Sequence, residues 1–173
     1  TAVINNPSLI DKIVKKYGSS TLVVSLEFVK TNGKYYCRKD FGREETSKEL
    51  FSWAKEVENR GAGEIIVSSI DADGTGKGFD LHVAEQLSKK TNVPFILNGG
   101  ISSLIHIKQI LNTSKPSGIA IGSAFHYGNI DKKFTKKNKL DGNVEFLDKK
   151  KNYREFGKLK IKEIKKYIQN KFN

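Results

Sequence analysis

Read for the spacing of apolar and polar positions, the first 130 residues alternate helical and strand periods at regular intervals. That alternation is expected of parallel β/α units, and four units are counted. Asn6-Pro7-Ser8 opens a helix through about Tyr17, with proline in its first turn and Gly18 closing it. Residues 21–26 are a near-continuous β-branched and aliphatic run, the pattern of a strand buried on both faces, ending at Glu27. Thr31-Asn32-Gly33-Lys34 is a turn between two short strand-like runs, so the loop after this strand is expected to fold over as a hairpin ending at Phe41-Gly42-Arg43. Ser47 is expected to cap a helix through about Arg60, with Leu50, Trp53, Ala54 and Val57 on one face and Trp53 read as packing.

The second strand is expected over residues 64–70, followed by Asp71-Ala72-Asp73-Gly74-Thr75-Gly76 and a helix from about 80 to 90. Residues 94–97 read as the third strand, ending in Asn98-Gly99-Gly100, with a helix from about 103 to 112. Residues 117–121 read as the fourth, ending in Gly122-Ser123. Beyond His126-Tyr127 the pattern breaks. The expected organisation is a β/α domain over 1–127, a polar, Lys-rich flexible insertion over 128–156, and a closing amphipathic helix over 157–173.

Sites in parallel β/α architecture lie at the C-terminal strand ends, where the connecting loops converge. This selects Glu27, Asp71, Asp73, Thr75, Asn98, Gly99, Gly100, Gly122 and Ser123. Glycines let backbone amides approach an anion with no Cβ in the way, and a neighbouring serine adds a donor. Asn98-Gly99-Gly100 and Gly122-Ser123, on consecutive strands, therefore read as a phosphate site, with plain turn glycines as the alternative. Asp71-Ala72-Asp73-Gly74 superficially suggests a calcium loop, but it lacks a third oxygen ligand before the glycine and a glutamate at the loop's end. A carboxylate at a strand mouth suits proton transfer, with Glu27 as a second acid/base candidate. One of the two aspartates is as easily a helix cap, and Asp73 is the preferred candidate. His82, His106 and His126 share no metal spacing and read as surface or packing residues; neither metal nor cofactor is expected.

Charge changes this picture little. The net charge of +12 over 173 residues is uneven: 1–130 carries 16 Lys and Arg against 13 Asp and Glu, and 131–173 carries 15 against 6. The excess is nearly all lysine, with no aromatic stacking pattern, so a solvated basic surface is preferred over nucleic-acid binding. The single cysteine, Cys37, reads as an inert strand residue and argues for no oxidising compartment. With no apolar run of membrane-spanning length and no signal-type N-terminus, a cytoplasmic location is expected. The absence of methionine and the abrupt start at Thr1 suggest a fragment.

Asn6-Pro7-Ser8-Leu9, Arg60-Gly61-Ala62-Gly63-Glu64-Ile65, Ser69-Ile70-Asp71-Ala72-Asp73-Gly74-Thr75, Gly78-Phe79-Asp80, Gly99-Gly100 and Ser123-Ala124-Phe125-His126, in this order and spacing, resemble the cyclase subunit of imidazole glycerol phosphate synthase, the HisF family. The resemblance covers residues 1 to about 127 and resumes loosely in the last helix. It implies the last four units of an eight-unit (β/α) TIM barrel, that is, a C-terminal half-barrel. The implied activity is that of a lyase in histidine biosynthesis. It takes ammonia from a glutaminase (glutamine amidotransferase) partner and converts a bisphosphorylated ribonucleotide into imidazole glycerol phosphate and aminoimidazole carboxamide ribotide.

By position, the resemblance places Asp73 and Ser68 against substrate, and Asn98, Gly99, Gly100, Gly122 and Ser123 at one phosphate site. It places Thr1 near the other phosphate site and Glu64 at the ammonia entrance facing the glutaminase. Where the family has a catalytic aspartate, this chain has Glu27, whose extra methylene shifts the carboxylate by about 1.5 Å, enough to cost orders of magnitude in rate. The first four units and their catalytic aspartate are absent, which favours pairing with an N-terminal half-barrel or self-association. Two alternatives use the same scaffold. One is a related barrel partnering an amidotransferase in amidino-sugar synthesis for surface polysaccharide, which Gly76-Lys77-Gly78 and Asn98-Gly99-Gly100-Ile101 resemble. The other is a non-catalytic phosphate-binding half-barrel.

Overall fold

The computed structural model describes residues 1–128, 156 and 159–172. Its centre is a six-stranded sheet in the order β3-β2-β1-β4-β5-β6. The strands are β1 (Val23–Thr31), β2 (Lys34–Lys39), β3 (Glu44–Glu49), β4 (Glu64–Ser69), β5 (Phe95–Asn98) and β6 (Gly118–Ala120). Strands β1, β4, β5 and β6 run parallel, and helices follow β4, β5 and β6. This is an α/β architecture consistent with the (β/α) barrel family.

The helices are α1 (Ala2–Asn5), α2 (Ser8–Tyr17), α3 (Leu50–Asn59), α4 (Leu81–Lys90), α5 (Leu104–Thr113), α6 (Ser123–Gly128) and α7 (Ile161–Phe172). Strand alternation sorts the sheet into two faces. Val24, Leu26 and Phe28 of β1, Ile65 and Val67 of β4, and Phe95 and Leu97 of β5 are buried in one cluster with residues of the helices, among them Trp53, Val57, Leu87 and Ile110. Each fully buried residue of this size contributes about 1.5–3 kcal/mol. The alternate set, which includes Val23, Ser25, Glu27, Ile66, Ser68, Ile96 and Asn98, is half-buried or exposed, with Val23 at 46%.

Asn32 and Gly33, both with positive φ, form the expected turn, and β2 folds back antiparallel on β1. The strand does not end at Glu27. It runs on to Thr31 because β2 supplies partners for residues 27–31, while residues 23–26 pair with β4 alone among the described residues. Nor does the hairpin end at Phe41-Gly42-Arg43: that segment turns the chain into a further strand, β3. Ser47 consequently lies inside β3 and caps nothing. The cap of α3 is Glu49, whose carboxylate accepts from Ser52 N–H at 2.8 Å. Trp53 is packing, 1% exposed. Cys37 is buried in β2, and burial pushes its thiol up to about 12.

The closing helix begins at Ile161, after buried Leu159, and reaches Phe172. Helices α1 and α6 were not anticipated from the sequence. The expected insertion over 128–156 lies outside the described residues except at its two ends. No described helix is long and apolar enough to cross a membrane.

Candidate functional site

Three parallel pairings put Glu27 opposite Ser68, Ser68 opposite Asn98, and Asn98 opposite Ala120. The four residues form one row across the C-terminal ends of β1, β4, β5 and β6. Because partners in register project to the same side, Glu27, Ser68 and Asn98 all face the side opposite the helices. The row is tied together laterally: Asn98 Nδ2 donates to Ser68 Oγ at 3.2 Å. Arg38 of β2 stands opposite Glu27 in the antiparallel register, its guanidinium held 2.9 Å from Glu45. Sequence reading did not anticipate this cation beside Glu27, because the partner of β1 on that side depends on the fold of the hairpin.

Above the row, the β5–α5 and β4–α4 loops enclose a small cleft. Asp73, Asn98, Gly99, Gly100, Gly122 and Ser123 all line it, so the expected phosphate residues and the preferred aspartate come together. The glycines are sterically required at two positions. A Cβ on Gly99 would sit 2.6 Å from Ser69 O, and one on Gly100 would sit 2.4 Å from Gly78 O. The same approach lets Gly78 N–H donate to Gly100 O at 2.8 Å, fastening the two loops to each other. Gly122 is different: it is exposed, with open space where a Cβ would be.

Asp73 is exposed at the cleft, its backbone N–H held by Ser69 O at 3.0 Å and its Oδ1 accepting from Gly74 N–H at 2.9 Å. The second oxygen is available to a ligand in this geometry. Asp71 does other work. Its Oδ2 accepts from Lys30 N–H at 2.7 Å and so pins the extension of β1 to the β4–α4 loop.

Asp80 reinforces that join. Oδ1 caps α4 through His82 and Val83 N–H, while Oδ2 accepts from Tyr35 Oη at 2.8 Å and lies 3.6 Å from Lys30 Nζ. Burial, then the bond to Asp80, holds the Tyr35 hydroxyl above its ordinary value. The Gly78-Phe79-Asp80 motif carried the only sequence signal for this latch.

Thr1 and Glu64 stand apart from the cleft. Thr1 is exposed at the start of α1, its hydroxyl accepting from Asp40 N–H at 2.7 Å in the β2–β3 turn. Glu64 begins β4, at the opposite end of the sheet, where it accepts from Ser117 Oγ at 3.2 Å. The histidines divide between surface and packing: His82 and His126 are exposed, with His82 stacked on Tyr35 at 6.0 Å between centroids, while half-buried His106 lies 3.4 Å from Ser102 Oγ, its pKa lowered by burial.

A profile of the family described as histidine biosynthesis protein matches residues 1–131. The chain is similar to imidazole glycerol phosphate synthase subunit HisF of Elusimicrobium minutum, 37% identical over 131 residues that cover 76% of this chain and 52% of that protein. The corresponding subunit of Phocaeicola vulgatus is 38% identical over 130 residues, covering 75% and 52%. That of Bacillus cereus is 35% identical over 146 residues, covering 84% and 58%. The chain thus spans about half the length of the curated relatives it matches.

Proposed function

The chain belongs to the histidine biosynthesis protein family, and from that premise we propose that it is the C-terminal half-barrel of an imidazole glycerol phosphate synthase cyclase subunit. The observation that carries this reading is the row Glu27, Ser68, Asn98 and Ala120 at the C-terminal strand ends, of which Asn98 and Ala120 also line the glycine-rich cleft that holds Asp73. Carboxylates placed at such a mouth can exchange protons with a bound substrate. In this reading Asp73 is the acid/base group of the half-barrel, Glu27 the second, and Ser68 and Asn98 orient the substrate between them.

Backbone N–H groups around Gly99, Gly100 and Gly122, with the Ser123 hydroxyl, hold one phosphate of a bisphosphorylated ribonucleotide. Thr1 serves the other phosphate together with residues of an N-terminal half-barrel, which also covers the free edges of the sheet. A glutaminase partner docks at the end marked by Glu64 and delivers ammonia, and the assembly works in the cytoplasm. The phosphate is bound through neutral donors and the carboxylates act on the substrate directly, so the reading requires neither metal nor cofactor.

Complementation tests it. The full-length protein should restore growth without histidine to a bacterium lacking its own cyclase subunit, and the Asp73→Asn variant should not. Failure of the soluble wild-type protein to support growth contradicts the reading.

A further inference from the structure

The cleft has one wall that its loops do not supply. Phe156 follows the Lys-rich stretch and lies beyond residues 1–131, the part that matches the family, yet it lines the same cleft as Gly122 and Ser123. Its ring is stacked on Tyr127 of α6, with centroids 6.1 Å apart and planes inclined by 18°. It also presses on the β4–α4 loop: a Cβ on Gly76, whose φ is +65°, would meet the ring at 3.0 Å. A half-buried aromatic face stands beside groups suited to an anion.

An aromatic wall is of no use to a free phosphate ion. Inorganic phosphate presents only oxygens, and these gain nothing from an apolar face. A phosphate monoester differs, since the carbon bonded to its ester oxygen must leave the donor cluster on some side, and C–H surface removed from water against a ring is favourable. Resting on the phosphate-site reading above, we infer that Phe156 packs against the carbon chain next to the bound phosphate. This gives the cleft a preference for phosphate monoesters of a carbon chain over free phosphate, and makes Phe156 a specificity residue.

The test titrates the full-length protein calorimetrically with inorganic phosphate and with glycerol 3-phosphate. Phe156→Ala should weaken glycerol 3-phosphate about fivefold or more while leaving inorganic phosphate within about twofold, as expected for loss of contact with one or two carbons. Phe156→Gln, which keeps the bulk but not the apolar face, should behave like the alanine variant. Phe156→Leu should keep most of the preference.

Equal weakening of both ligands would show that the ring only supports the Gly76 loop, and would overturn the inference. So would unchanged binding of both in the alanine and glutamine variants. If the wild-type protein binds neither ligand, the phosphate-site reading falls and takes the inference with it; binding without discrimination by Phe156 removes the inference alone.

Discussion

The side-chain amide of Asn98 donates to the Ser68 hydroxyl across 3.2 Å, joining the C-terminal ends of β4 and β5 on the face that carries Glu27. Asn98, which lines the cleft, thereby keeps its side-chain oxygen as an acceptor, and Ser68, accepting in this bond, keeps its hydroxyl proton as a donor. Asn98→Leu should therefore reduce turnover of the full-length protein about tenfold through lost orientation, with smaller losses in stability because Asn98 is only half-buried. Steady-state kinetics beside a urea titration separates the two effects.

Asp73→Asn retains Oδ1 as the acceptor for Gly74 N–H and removes only the charge and the ability to exchange a proton. Thermal stability should change by less than about 0.5 kcal/mol, as for exposed substitutions. The turnover number should fall about 10²- to 10⁴-fold. Activity within a factor of two of wild type would remove Asp73 from the reaction.

Gly100→Ala places a methyl group 2.4 Å from Gly78 O at a φ of +77°. Backbone strain of this kind costs about 1–3 kcal/mol, and relief requires the β4–α4 and β5–α5 loops to separate. Chemical denaturation should report that loss, and phosphate affinity should fall with it. Gly122→Ala, in open space, is the control and should be nearly neutral for stability.

Tyr35 and Asp80 form the latch between the hairpin and the β4–α4 loop. Tyr35→Phe should cost about 1 kcal/mol for the hydrogen bond. Asp80→Ala should cost more, because it also removes the α4 cap, worth about 0.5–2 kcal/mol. In the double variant the two losses should fall short of additivity by about the shared bond.

Burial raises the Cys37 thiol from its ordinary value of 9.0 to about 12. In the unfolded chain the thiol ionises near 9, whereas in the folded chain it stays protonated. The stability tied to it is complete below about pH 9 and declines as pH rises from 9 to about 12, by up to about 1.4 kcal/mol per pH unit. Cys37→Ala should flatten that alkaline limb in a series of urea titrations; an unchanged slope would assign it to other groups.

What the sequence disclosed follows the physics of each element. The parallel strands were legible as β-branched and aliphatic runs such as Leu22-Val23-Val24, although the expected burial on both faces did not follow, since Val23 is 46% exposed, and the hairpin was legible because Asn32-Gly33 permits few other conformations. Strand β3, Glu44-Glu45-Thr46-Ser47-Lys48-Glu49, was not legible. As an outer strand paired, among the described residues, only with β2, it needs no apolar alternation, and its Ser47 imitated a helix cap. The cleft residues stood out as glycines and carboxylates at strand ends. Arg38 and Phe156 did not, because each reaches its place through a tertiary pairing with no local pattern.

The most direct measurement is turnover of the bisphosphorylated ribonucleotide by the purified full-length protein with ammonium salt as nitrogen donor, following release of aminoimidazole carboxamide ribotide by chromatography. Stoichiometric formation of imidazole glycerol phosphate and the ribotide, abolished in Asp73→Asn, is the predicted result. Binding of the ribonucleotide without any product, at saturating ammonia and with the fold intact, would contradict the cyclase assignment and leave a phosphate-binding barrel.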